Sequence, residues 1–131
     1  MQMPLSEICD RWSILKLKIE NLKEDNAISE QFGLFTEILN RKLEQFSDEV
    51  RKQIMEEIGE IYKSNAKIWQ LEYDIRAGVL NDDDLEEIGR RAIAIREANG
   101  RRLKHKNKIA KLSSNLIMFD VKTGHHSEST Q

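Results

Sequence analysis

Apolar residues recur along this chain at steps of three and four, the spacing that gathers them on one face of an α-helix. The first run, Leu5, Ile8, Trp12, Leu15, Ile19 and Leu22, is an unbroken heptad pattern and the strongest periodic signal in the sequence. It predicts a helix that opens after Pro4 with Ser6 as its cap and ends near Lys23, where Glu24-Asp25-Asn26 closes it. A second segment, about 29–45, presents Phe32, Phe35 and Leu39, with Phe46 just beyond. Ser47-Asp48-Glu49 reads as the start of a third helix that runs to about Ala77 with Ile54, Ile58, Ile61, Ile68 and Ile75 inward. One continuous helix from 28 to 77 is the alternative. Gly78 ends this segment, and residues 81–84 cap a fourth helix that reaches about Leu112.

The short link at 78–82 turns the third and fourth helices into an antiparallel hairpin (about 47–77 and 82–112). Side-by-side residues then have numbers that sum to about 160, by the geometry of two straight antiparallel helices. Gly59 falls opposite Gly100, and two glycines at one level permit close helix packing or leave room for a ligand, packing being the simpler account. The expected fold is all-α: an antiparallel bundle of three to four helices with coiled-coil character, forming a single domain over 1–112. In the C-terminal segment 113–131, the apolar run Leu116-Ile117-Met118-Phe119 is expected to dock on the bundle or on a second subunit. Residues 122–131 have a flexible composition.

One face breaks the apolar rule. On the fourth helix the stripe reads Leu85, Ile88, Ala92, Ile95, then Asn99, Arg102 and Lys106, then Ile109. Two cations and an amide on an inward face are costly unless something pairs with them. Level counting puts Arg102 and Lys106 near Ile58 and Ile54, and a first helix lying alongside the third brings Asp10 to that height as the leading counter-ion. On the third helix Asn65, Trp69, Glu72 and Arg76 form a companion strip. It is either an ordinary solvated Glu72–Arg76 pair beside a packed tryptophan, or the second wall of a polar cavity.

These residues carry a resemblance. The run Asp10-Arg11-Trp12-Ser13-Ile14-Leu15-Lys16-Leu17-Lys18, then Asn65-x3-Trp69-x-Leu71-Glu72-x2-Ile75-Arg76, then Asn99-x2-Arg102-x3-Lys106-x2-Ile109, resembles an uncharacterised family of small helical bacterial and phage proteins. The resemblance implies that Asp10, Lys18, Asn65, Trp69, Glu72, Arg76, Asn99, Arg102 and Lys106 belong to one recurring pattern. It brings no established activity. Gly100 stands where that family has an aspartate, so no role of that carboxylate carries over.

Composition narrows the function classes. The 131 residues are 34% charged and 6% aromatic with one proline, which suits helices and disfavours a sheet protein. With 21 basic and 23 acidic residues there is no global pull toward nucleic acid or membrane. The base-rich stretch of Arg96, Arg101, Arg102, Lys104, Lys106, Lys108 and Lys111 follows an acidic start at 82–87, as the helix dipole favours, so nucleic acid is not an expected partner. No signal-peptide or membrane-spanning run is visible, and a cytoplasmic location is expected. The single Cys9 reads as a small hydrophobe, His105 as a surface residue, and His125-His126 as a weak metal signal.

Enzyme chemistry finds little support. Glu57-Ile58-Gly59-Glu60 offers one acidic pair of the kind that helical nucleoside-triphosphate pyrophosphatases use for Mg²⁺. The second pair, at 83–87, lies roughly 13–20 residues of helix register away (about 1.5 Å each), too far to share a metal within the hairpin. No phosphate loop or nucleophile with a base is present, and no cofactor or metal is expected. Two readings remain. The first is a non-catalytic module that binds a small anionic ligand, such as a nucleotide or sugar phosphate, for example a phage protein that sequesters a signalling nucleotide. The second is a structural or interaction bundle, expected to be a homo-oligomer, whose buried polar residues form salt bridges that fix helix register.

Overall fold

A computed structural model describes residues 3–76 and 84–125, with side chains as far as Ser114. The described residues form four α-helices: α1 (Leu5–Asn21), α2 (Asn26–Leu43), α3 (Asp48–Arg76) and α4 (Leu85–His125). Among the described residues there is no strand, and no helix is long and apolar enough to cross a membrane. This is an all-α bundle.

Local chemistry sets the helix ends. The carbonyl of Pro4, which stands at the N-cap of α1, accepts from the backbone N–H groups of Glu7 and Ile8 at 3.0 Å. Ser6, the expected cap, therefore lies inside the first turn. Asp25 does not merely close α1. Its Oδ1 accepts from the N–H groups of Ala27 and Ile28 (2.9 and 3.3 Å) and starts α2 several residues before the expected point. Ser47 Oγ accepts from Val50 N–H at 3.2 Å and opens α3, so residues 28–77 contain two helices. Arg51 then reaches back: its Nε and Nη2 donate to the carbonyls of Leu43, which also accepts from Phe46 N–H, and Phe46 (3.1 and 3.0 Å), and so tie α3 to the turn that follows α2.

The last helix is longer than its apolar stripe. α4 continues past Leu112, so 113–125 belongs to it rather than to a separate segment. The docking expected of the 116–119 side chains, and the flexibility expected of 126–131, lie outside the described residues. Helix α4 runs antiparallel to α3, because Glu57 meets His105 while Asp74 meets Arg91. The link 77–83 is also outside the described residues. That register lies a few residues from the expected one, and the glycines do not make a close approach. A Cβ added at Gly59 or Gly100 would meet nothing within 4 Å. Both glycines sit on outward faces.

The hydrophobic core lies where all four helices converge. Ile8 and Cys9 of α1, Leu39 and Leu43 of α2, Ile54 and Ile61 of α3, and Ile109 of α4 are buried there. Trp12 fastens α1 to α2: its indole N–H donates to Thr36 Oγ1 at 2.8 Å and its ring stacks on Phe32 with centroids 5.6 Å apart. The far end of α1 is held to α3 by the Tyr62 hydroxyl, which donates to Glu20. Helix α1 buries more than one stripe. Beside its apolar heptads it also buries Asp10, Ser13 and Leu17, whereas Ile19 and Leu22 at its end are 40% and 47% exposed. Beyond Asn65 the inward residues Ile68, Ile75, Ile88 and Ile95 are only half-buried.

Cys9 is fully buried, and desolvation, followed by the adjacent Asp10 charge, pushes its thiol up to about 12. The native protein should therefore resist a thiol-reactive dye at mildly alkaline pH and release one reactive thiol on addition of denaturant. Equal labelling rates with and without denaturant would contradict this burial.

Candidate functional site

The inward stripe of α4 is Ile88, Arg91, Ile95, Ala98, Arg102, His105 and Ile109, again at steps of three and four. It keeps Ile88, Ile95, Arg102 and Ile109 of the expected stripe but takes Arg91 for Ala92, Ala98 for Asn99 and His105 for Lys106. Leu85 is 72% exposed and Ala92 is also exposed. The rotation is possible because each polar side chain on the true stripe has a partner across the helix interface. Arg91 Nη1 lies 2.8 Å from Asp74 Oδ2, Arg102 Nη1 lies 2.6 Å from Asp10 Oδ2, and His105 Nδ1 lies 2.5 Å from Glu57 Oε1. The result is a ladder of polar pairs separated by apolar rungs. His105 is thus not the surface residue that the sequence suggested: its side chain is 14% exposed.

Asp10 is the hub. Its side chain is 4% exposed, so an unpaired charge here would be very costly. Asn65 Nδ2 donates to Asp10 Oδ1 at 3.0 Å and to Ser13 Oγ at 2.8 Å, while Ser13 Oγ donates to the Asp10 carbonyl at 2.8 Å. Oδ2 takes Arg102, with the Lys106 ammonium 3.5 Å away. Lys106 donates more closely to Glu7 Oε1, at 2.9 Å. That ammonium, and then the Arg11 guanidinium, hold the Glu7 carboxyl below the usual carboxylate range. Two carboxylates thus neutralise two cations inside the bundle. Arg102 Nε is buried without a hydrogen-bond partner, so the guanidinium is incompletely satisfied.

The structure brings together four of the nine residues singled out from the sequence: Asp10, Asn65, Arg102 and Lys106. It does not bring in the rest of the α3 strip. Arg76 lies eleven residues beyond Asn65, a rise of roughly 16 Å along the helix. There it forms a loose pair with Glu72 at 3.9 Å, both side chains well exposed. Trp69 is half-buried one turn from Asn65, and Asn99 is half-buried on α4; among the described residues neither joins the Asp10 network. Among the described residues Lys18 makes no contact with the Asp10 network but lines a groove of about 410 Å³ between α1 and α2, which Glu7, Asp10, Arg11, Gln31 and Phe35 also border.

No family model matches the chain, and no curated protein or solved structure is similar to it. Function must be argued from the geometry. Among the described residues no three histidine, cysteine, aspartate or glutamate side chains could jointly hold a metal ion. Sequence reasoning missed Glu7, Ser13, Arg91 and His105. Ser13 carried a visible signal, because Asp10, Ser13 and Leu17 form their own three-and-four stripe on α1. Arg91 was passed over for the more apolar Ala92, and His105 for Lys106, which continued the stripe drawn through Ala92 and Asn99.

Proposed function

We propose that this protein is a non-catalytic helical interaction module, in which the internal polar ladder fixes helix register and the outer helical faces make the contacts that matter. One observation carries the reading: Arg102 and Lys106, the cations that the sequence offered to an anion, are already matched by Asp10 and Glu7. An ion ladder of this kind penalises any slip of α4 along α3, because a shifted helix would bury Asp74, Asp10 or Glu57 against an apolar residue. A thermal-shift panel of nucleotides and sugar phosphates tests the proposal. The module reading expects no ligand-specific rise, and a large destabilisation of the Arg102→Ala variant without ligand.

The α1–α2 groove favours a second reading, a small anionic ligand. Its size falls within the range of small-molecule sites, and Arg11, Lys18, Gln31 and Phe35 offer charge, an amide and an aromatic face. This version predicts a specific thermal rise that Lys18→Ala abolishes, in a groove that Asp10 and Glu7 also line.

A further inference from the structure

The outward face of α4 remains unexplained by anything inside the bundle. Leu85, Ile93 and Leu103 are 72%, 48% and 50% exposed. At helical spacing they share one side of α4 with Gly89, Ala92, Arg96 and Gly100, opposite the ladder. A Cβ placed on either glycine would meet nothing. Glycine is among the least favourable residues inside a helix, and here it serves no contact within the chain. Exposed leucine and isoleucine beside bare backbone form a face suited to close contact with another helix.

Charge selects the partner. The first turn of α4 carries the exposed Glu86, and farther along the same flank stand the exposed Lys104 and Lys108. A parallel copy would set like charges together. An antiparallel copy, centred between Ala94 and Ile95, places Gly89 opposite Gly100 and brings Leu85 within one residue of the level of Leu103 and Glu86 within one residue of Lys104. One register thus satisfies all three neighbours to within a residue, and a two-fold axis repeats each of them. We infer that α4 forms an antiparallel seam with α4 of a second copy of this chain. The inference rests on the interaction-module reading above and names its partner.

Sedimentation equilibrium of the full chain, from micromolar to near-millimolar concentration, tests the seam. A dimer is expected. Leu103→Asp should leave the helical circular dichroism intact and give a monomer. Glu86→Lys or Lys104→Glu alone should weaken association by about fivefold, since each exposed pair occurs twice, and the double exchange Glu86→Lys/Lys104→Glu should restore it. A monomer at every concentration overturns the seam. So does a dimer that is indifferent to Leu103→Asp, because it would use another face. Neither result touches the module reading, which falls instead if a ligand raises the melting temperature and Lys18→Ala removes the rise.

Discussion

Replacing Asp10 with alanine should cost about 3–5 kcal/mol of folding stability, the typical penalty for breaking a buried ion pair by deleting one partner. Asp10 is 3% exposed and receives Arg102, Asn65 and, more distantly, Lys106. Its loss leaves the Arg102 guanidinium in a half-buried site whose Nε already lacks a partner. The cost is a large share of the roughly 5–15 kcal/mol that holds a typical domain together, so the variant should melt many degrees lower. Urea unfolding followed by circular dichroism measures it. The double variant Asp10→Leu/Arg102→Met should recover most of the loss, because well-packed apolar replacements of buried pairs are often neutral or better. A single-variant cost below about 1 kcal/mol would show that the pair behaves like a surface salt bridge and would end the register-lock argument.

Truncating Ile109 to alanine should cost about 2–5 kcal/mol, the range for emptying a large aliphatic site in a packed core. Ile109 is 0% exposed and is the α4 member of the core cluster contributed by all four helices. The size of the loss therefore reports how firmly the second half of α4 is seated. Leu34, 54% exposed on α2, is the matched control: its alanine variant should stay within about 0.5 kcal/mol of the parent. Similar losses at the two sites would mean that Ile109 is not anchored as described.

The architecture was legible because it depends on periodicity. The heptads of α1, the isoleucines of α3 and the polar break on α4 gave four antiparallel-capable helices, and level counting picked out Asp10 as the counter-ion of Arg102. The rotation of α4 was not legible. A stripe chosen for hydrophobicity prefers Ala92 to Arg91, and only the partner at Asp74, on another helix, makes the arginine the better inward residue. Helix α1 misled in a similar way. Its burial on more than one side comes from contact with all three other helices, a property of the assembled bundle and not of its own sequence. Asp25 failed for a local reason, since an acid that seems to end one helix is equally suited to begin the next.

The separation of Asp10 from Arg102 bears on how the chain acquires its fold during synthesis. Translation delivers α1, α2 and α3 first, with Asp10 waiting for cations encoded 92 and 96 residues later. Until α4 emerges, the carboxylate that will be sealed in the interior must stay hydrated, so the face of α1 around it stays open. Arrival of the last helix supplies Ile109 for the core and positive charge for Asp10 in a single docking step. Closure of this bundle is therefore a late, long-range event, and interrupted translation would release chains that cannot complete it.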